Sequence, residues 1–407
     1  MPQKQILTSF PPWLILMGSL AAIGPLAVDM YLPSFGAIAA DLQVPEGFVE
    51  RTLAGYLLGL ALAQLIYGPL ADRYGRKIPL MFGLMLFIIA SLACAASTDI
   101  EHLTLWRIVQ AFGGASGMVI PRAVIRDHLE TRDAAKALSL LMLIMGVMPI
   151  LAPLLGGQAL VFGSWRTIFH IMAGVAILQL IAVTLAMRES LDPEFLTSLR
   201  PGIIARNYSG LLRHRKFLCF TLAGGFGSAG MFSYIVGSPR IFISYYGVDP
   251  RYFGLLFGVN ALSLIAASQL GARMLNRHQP EGLLRSAQIA QLAITLIALA
   301  LTLAGVINLL LLMLCLMAFM ACIGFVNPNA AALALGEQGH RLGVASAMMG
   351  TLQMLCGAGA GLAVSLWQTN SPLPLTGMLA ASAVLSWLFG RLALYGELRG
   401  QSHGQSI

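Results

Sequence analysis

The chain has 407 residues, of which 57% are hydrophobic and only 10% are charged. Soluble domains carry about 25% charged residues, so the composition excludes a water-soluble enzyme, a disordered chain and a nucleic-acid-binding domain. A mean hydropathy of +0.79 indicates instead an integral membrane protein with little mass outside the lipid bilayer.

Twelve apolar stretches are long enough to cross a bilayer as helices, which takes about 20 residues each. The first continues too far for a cleavable signal peptide. We predict spanning helices at 12–38, 52–71, 78–98, 103–122, 137–160, 164–187, 217–243, 252–272, 283–304, 307–334, 343–368 and 374–395.

A polar, basic stretch at 188–216 interrupts the middle of the chain. Duplicated halves are common in secondary transporters, which bind their substrate near the midplane between the halves. We therefore predict an all-α membrane protein with two six-helix halves, 1–190 and 217–407, joined by a cytoplasmic linker at 191–216.

The positions of the basic residues predict the orientation, because Lys and Arg concentrate in cytoplasmic loops. With a cytoplasmic N-terminus, only Arg51, Arg166 and Arg251 lie outside, and Arg107 and Arg240 lie within helices. The opposite orientation would place most basic residues outside. We expect both termini in the cytoplasm, and the net charge of +8 then reflects orientation rather than a nucleic-acid partner.

Asp29 and Arg107 are ionisable residues within predicted helices, where charge is costly and usually faces a cavity or a partner. Asp29 lies in IGPLAVDMYLPSF and Arg107 in LWRIVQAFGGASG. A buried carboxylate can take up and release a proton near neutral pH, whereas an arginine keeps its charge. We expect Asp29 to carry a proton or bind substrate and to contact Arg107, directly or through water. The alternatives are a packing role for Asp29 and an Arg107 that reaches outward to the interface.

A set of aromatic and uncharged polar residues in the predicted helices indicates a substrate cavity. Aromatic and methionine side chains suit varied apolar ligands, and the chain has 20 methionines. Ordinary core packing or lipid contact stays open for each residue. The candidates are Tyr31, Tyr56, Gln64, Gln110, Phe226, Phe232, Tyr234, Asn260, Asn327 and Gln353.

The short inner segment GPLADRYGRK predicts a gating loop held by charge contacts. Its candidate residues are Gly68, Asp72, Arg73, Gly75 and Arg76, with Asp127 of the next inner loop as a partner. A simple solvated basic loop would explain the arginines but not the glycines and the aspartate. No cysteine or histidine spacing indicates a metal site, so we expect no metal and no cofactor.

Three segments resemble signatures of the major facilitator superfamily: GPLADRYGRKIPL, LWRIVQAFGGASG and APLLGG at 152–157. More narrowly, AVDMYLPSF, QLIYGPLADRYGRK, SWRTIF, GMFSYIVGSP and GVASAMMGT resemble the Bcr/CflA family over about 12–395. That family contains bicyclomycin- and chloramphenicol-type drug:proton antiporters of the bacterial inner membrane.

The resemblance implies roles for particular residues. Asp29 matches the membrane carboxylate of the D-x-Y-L-P motif and Arg107 the motif arginine of helix 4. Asp72 and Arg73 match the loop motif. Some related exporters have a second acid where this chain has Ala21, so coupling is expected to depend on Asp29 alone. The antiporter motif of helix 5, with Ala152 replacing its first glycine, ends in Pro153, Gly156 and Gly157.

Together these observations predict a monomeric exporter that works by alternating access and uses the proton gradient. One acid beside one arginine leaves little negative field, which favours neutral or zwitterionic amphiphilic substrates. A proton-coupled exporter or symporter of a small metabolite, such as an amino acid or peptide, is the main alternative. A membrane enzyme or receptor is a third, disfavoured because the sequence clusters no catalytic groups.

Overall fold

The computed structural model describes residues 12–191, 209–336, 338, 342–367 and 369–404. In that part of the chain, twelve helices are long and apolar enough to cross a bilayer, which confirms the predicted fold class. They are α1 (Pro12–Asp41), α2 (Glu46–Tyr74), α3 (Lys77–Ala96), α4 (Ile100–His128), α5 (Thr131–Phe162), α6 (Trp165–Ala186), α7 (Arg215–Tyr245), α8 (Pro250–Met274), α9 (Pro280–Leu303), α10 (Leu309–Leu335), α11 (Leu342–Leu366) and α12 (Leu373–Gly404).

Helix α1 is irregular immediately after Asp29. The regular helix Ile23–Asp29 is followed by a tight turn at Leu32–Ser34 and a last segment, Phe35–Asp41. Pro33 has no N–H to donate to the carbonyl of Asp29, so the helix cannot continue unchanged at this point. The irregularity therefore lies beside the predicted membrane carboxylate.

Two helices extend beyond their predicted limits. Helix α2 begins at Glu46 rather than at 52, because Pro45 is extended and acids are favourable in a first helical turn. Glu50 therefore lies within a helix and is fully buried, not in an outer loop as its charge suggests. Helix α4 continues to His128 rather than ending at 122, so Asp127 lies on its last turn.

The chain divides into two compact units, Met1–Arg200 with Val248–Phe257, and Pro201–Gly247 with Gly258–Ile407. The division into halves at 190 and 217 stays a prediction. Much of the predicted linker, 192–208, lies outside the described residues.

In the first unit, α4 packs closely against three neighbouring helices through glycines. A Cβ added at Gly113 would lie 2.5 Å from the backbone N of Phe87 on α3, and one at Gly117 would lie 2.5 Å from the carbonyl of Leu20 on α1. A Cβ at Gly59 of α2 would lie 2.8 Å from the carbonyl of Ile108. Small residues permit such backbone contacts within membranes.

In the second unit, α7 packs against α10, α11 and α12. Buried polar bonds connect three of its helices: Gln288 of α9 donates to the carbonyl of Ser386 at 2.7 Å, and the Ser386 hydroxyl donates to the carbonyl of Ala223 at 2.8 Å. A hydrophobic cluster that includes Phe217 and Phe220 packs the beginning of α7.

Candidate functional site

The Arg107 side chain is fully buried in the first unit and lies between two tyrosine rings. Its guanidinium carbon is 4.4 Å from the ring centre of Tyr31 on α1 and 4.3 Å from that of Tyr56 on α2, with Phe169 of α6 at 5.8 Å. A desolvated cation over an aromatic face gains about 2 kcal/mol. Three helices thus contribute rings to a site that stabilises one positive charge.

Neutral acceptors complete this site. Arg107 donates to the Gln110 side-chain oxygen at 2.5 Å and to the Ala27 carbonyl at 3.1 Å. Gln110 in turn donates to Ser91 of α3 at 2.7 Å. Hydrogen bonds to a charged group contribute about 1.5–3 kcal/mol each, so rings and amide oxygens together offset a desolvation cost of several kcal/mol. We call Arg107, Gln110, Tyr31, Tyr56 and Phe169 the arginine cradle.

Asp29 lies close to the arginine cradle but does not bond to it. The residue is 4% exposed and lies two residues after Ala27, whose carbonyl accepts from Arg107. Over the described residues, Asp29 makes no hydrogen bond and no ion pair. In this structure the two side chains form no direct bond, because the guanidinium donates to Gln110 and Ala27 instead. The predicted contact between Asp29 and Arg107, direct or through water, stays a prediction.

Two polar atoms of the arginine cradle also have no partner among the described residues: the Tyr56 hydroxyl and Nε of Arg107. The Tyr31 hydroxyl, by contrast, bonds Thr52 of α2 at 2.8 Å. A buried polar group without a partner is unfavourable by about 1–3 kcal/mol. Tyr56 and Arg107 thus each keep one buried polar atom without a hydrogen bond in the described structure.

Helix α5 approaches the backbone next to Asp29 through the predicted antiporter motif. A Cβ added at Gly156 would collide with the carbonyl of Met30, and one at Gly157 would lie 2.7 Å from the carbonyl of Pro250. Pro153 lies one turn earlier in the same helix. Glycine at 156 is therefore needed for α5 to contact α1 at the residue after Asp29.

The predicted gating loop forms an ion network at the end of α2, the start of α3 and the end of α4. Arg76 bonds Asp72 at 2.6 Å and Asp127 at 2.9 Å. Although burial lowers the pKa of Arg76, its hydrogen bonds to these two carboxylates raise the pKa above the ordinary value. Gly75 has a left-handed backbone (φ +81), a conformation that favours glycine. A Cβ at Gly68 would meet no atom within 4 Å, and Arg73 is exposed.

The second unit contains the remaining predicted substrate residues in smaller groups. Asn260 of α8 donates to the Tyr234 hydroxyl at 3.0 Å. Asn327 of α10 bonds Ser228 at 2.9 Å.

Aromatic and amide contacts account for the others in that unit. Phe226 stacks on Phe389, with ring centres 5.5 Å apart, and Phe232 packs over Gly357. The Gln353 amide lies beside Gly224 of α7.

The predicted substrate residues of the first unit are not equivalent. Tyr31, Tyr56 and Gln110 belong to the arginine cradle and are fully buried. Gln64 is partly buried in α2 and no bond connects it to the cradle in the described structure. Their roles in substrate binding stay predictions.

Sequence reasoning missed several residues of these sites. Ser91, Thr52 and Phe169 complete the arginine cradle and its hydrogen bonds, but nothing distinguishes them from other residues of apolar helices. Glu50 is a second buried acid, and its charge offered no sign of burial. Glu189 lies against the gating loop. No group of three or more His, Cys, Asp or Glu in the described chain could hold a metal ion.

Twelve helices long and apolar enough to cross a bilayer indicate a multi-pass membrane protein. The profile of the Major Facilitator Superfamily matches residues 17–364, and the chain belongs to this superfamily.

Curated relatives match along most of the chain. It is 36% identical over 383 residues to the uncharacterized MFS-type transporter YdgK of Bacillus subtilis, covering 94% of each chain. It is 31% identical to a bicyclomycin resistance protein homolog of Haemophilus influenzae, covering 92% of this chain and 94% of that one. The multidrug resistance protein MdtL of Klebsiella pneumoniae is 31% identical, with 87% of each covered. These relatives confirm the resemblance to the Bcr/CflA family.

Solved structures share the fold at low identity. A D-xylose-proton symporter superposes with a TM-score of 0.71 at 14% identity, covering 93% of this chain and 97% of that one. A peptide transporter in complex with sulfate gives 0.74 at 13%, covering 97% and 96%. At this identity the likeness establishes the fold alone.

Proposed function

We propose that this protein is a proton-coupled multidrug exporter of the bacterial inner membrane, with both termini in the cytoplasm. It moves amphiphilic neutral or zwitterionic compounds, of the bicyclomycin or chloramphenicol kind, outward in exchange for protons. The relatives named for bicyclomycin and multidrug resistance support this substrate class. The proton gradient supplies the energy for transport, and we propose no cofactor.

The observation that carries the proposal is the unbonded state of Asp29. A buried carboxylate without a hydrogen bond or ion pair in the described structure is stable as the neutral acid, because burial disfavours the charged form. Ionisation would place a negative charge beside Arg107, whose charge is balanced only by rings and neutral oxygens. Loss or gain of one proton therefore changes the balance of charge in this region completely.

This difference supports a simple exchange cycle. When the protein is open to the cytoplasm, Asp29 releases its proton inward. Its carboxylate then attracts the Arg107 guanidinium and accepts a hydrogen bond from Tyr56, and the compound binds. Open to the outside, a proton from the medium neutralises Asp29, and the compound leaves. One elementary charge crossing about 100 mV supplies about 2.3 kcal/mol, which corresponds to roughly a 50-fold gradient.

A second candidate is a proton-coupled carrier of a small metabolite on the same fold. The bonded pairs Asn260–Tyr234 and Asn327–Ser228 support it, since they could bind the amide or hydroxyl of a polar solute. The described helices of the second unit offer few charged groups for an amino acid or peptide, and the named relatives favour drugs.

A susceptibility panel in an efflux-deficient bacterial host tests the proposal. We expect the wild-type chain to raise the inhibitory concentration of neutral and zwitterionic amphiphilic compounds at least about fourfold, and a protonophore to abolish this protection. Asp29→Asn should behave like the empty vector, and Glu130→Gln, an exposed inner acid, like the wild type. Protection that survives the protonophore, or appears only for dications, would contradict the proposal.

A further inference from the structure

The carboxylate of Glu189, just beyond the end of α6, binds backbone of the gating loop. One oxygen accepts from the amide of Arg76 at 2.8 Å and the other from the amide of Lys77 at 3.0 Å. The first oxygen also accepts from Ser190 and Leu191, at 2.9 and 3.0 Å. A carboxylate with four backbone donors is a strong acceptor, and here it joins segments more than 100 residues apart in sequence.

Gly75 makes this contact possible. A Cβ at position 75 would collide with the Glu189 carboxylate, and its backbone is left-handed (φ +81). Both facts favour glycine here. The absence of a side chain at Gly75 thus gives the Glu189 carboxylate access to the two backbone amides that follow.

Two further bonds connect the same segments. The Ser190 hydroxyl donates to Asp127 at 3.0 Å, beside the bond from Arg76. The Lys77 ammonium donates to the carbonyl of Thr184 in the last turn of α6 at 3.0 Å. The end of α6 therefore contacts the backbone of the gating loop and also one carboxylate of its ion network.

The surroundings of Glu189 favour its charged form. Burial alone would raise the pKa of Glu189, but the amide hydrogen bonds from Arg76, Leu191, Lys77 and Ser190 lower it below the ordinary value. The charged groups around it are Arg76 and Lys77 of α3 and its N-terminal turn, Asp72 of α2, Asp127 of α4 and Arg188 of its own segment. Glu189 is thus ionised throughout the working range of a cell.

We propose that Glu189 is a positioning residue that fixes the gating loop to the segment entering the middle of the chain. Through the Arg76 and Lys77 amides it holds the guanidinium of Arg76 between Asp72 and Asp127. It acts on the rate of the transport cycle and not on substrate binding. The inference rests on the proposed transport function, but not on proton coupling or on a drug as the substrate.

The first test measures amide hydrogen exchange in the full-length protein in lipid nanodiscs. Glu189→Gln leaves one acceptor oxygen and turns an NH₂ group toward backbone donors. We expect exchange at Arg76 and Lys77 to accelerate about tenfold, as loss of a charge-assisted hydrogen bond predicts. Glu130→Gln, on an exposed inner acid, should leave these amides unchanged. Unchanged exchange in Glu189→Gln would overturn the proposal.

The second test measures transport in proteoliposomes. Glu189→Gln should lower the maximal rate about fivefold while KM changes less than about twofold, and Glu189→Asp should recover part of the rate. Faster exchange with a normal maximal rate, or a rise in KM alone, would overturn the positioning role. If the wild type moves no panel compound, the proposed function fails, and the exchange test alone then decides whether Glu189 fixes the loop.

Discussion

Two arginines of the first unit lie in opposite environments. Arg107 is fully buried in the arginine cradle and has no carboxylate partner over the described residues, whereas Arg76 lies between the carboxylates of Asp72 and Asp127. The ion network of the gating loop is therefore electrically satisfied. The arginine cradle is not electrically satisfied, because no carboxylate of the described residues balances Arg107. An ionised Asp29 would therefore be attracted to it.

The difference indicates a division of labour. A satisfied ion network suits a structural or gating role. It resists change because removing one partner leaves the other charge buried without compensation for its desolvation. A cation held by rings and neutral oxygens can exchange those contacts for a carboxylate at small cost. We therefore expect the arginine cradle to respond to protonation of Asp29, and the gating loop to keep its contacts within any one conformational state.

The largest expected effect comes from comparing lysine at the two arginine positions. Arg107→Lys should lower transport at least about 100-fold, because an ammonium cannot stack between two rings while donating to Gln110 and Ala27. Arg76→Lys should lower it only about tenfold, since an ammonium can still pair with a carboxylate. Initial transport rates at equal protein amounts measure both, and the reverse order would contradict the comparison.

The next effect is on stability at the contact between α5 and α1. Gly156→Ala places a methyl group against the Met30 carbonyl, and overpacking of this kind costs about 1–3 kcal/mol. Gly174→Ala is the matched control, because a Cβ there meets no atom within 4 Å and alanine favours the helix. Thermal unfolding in detergent should show a lower midpoint for the first variant only. Equal midpoints would show that α5 does not lie as described.

A smaller effect concerns pH at the inner loop. The pKa of Glu189 is below its ordinary value of 4.5, so its contribution to stability is present above about pH 4.5 and is lost as pH falls through the lowered pKa. The stability deficit of Glu189→Gln should therefore stay constant from about pH 5 to 8 and shrink only in stronger acid. Unfolding midpoints across this range measure it, and a deficit that changes near pH 7 would contradict the assignment.

The smallest effect separates the two tyrosines of the cradle. Tyr31→Phe removes the bond to Thr52 and should lower stability by about 1 kcal/mol. Tyr56→Phe removes a hydroxyl without a partner in the described chain, so stability should stay equal or rise slightly. Paired unfolding measurements check this, and a larger loss for Tyr56→Phe would show that its hydroxyl is bonded in the membrane.

Most of the fold and two residues of the candidate site could be predicted from the sequence. A bilayer forces long apolar segments and makes a buried charge rare, so the twelve helices, Asp29 and Arg107 are visible without a structure. The start of α2 was not, because Glu46 and Glu50 resemble loop residues although a helix end accommodates them. The missing Asp29–Arg107 bond depends on side-chain direction, and the Glu189 contact depends on backbone amides of a distant segment. Neither leaves a sequence pattern.

The most direct measurement of the central claim uses Asp29→Asn in proteoliposomes, with a compound selected by the susceptibility panel and an imposed proton gradient. The amide keeps the size of the acid but cannot release a proton. We predict that Asp29→Asn retains downhill exchange of the compound across the membrane while proton-driven uphill transport and substrate-linked proton flux disappear. Uphill transport with wild-type proton flux in Asp29→Asn would contradict the account.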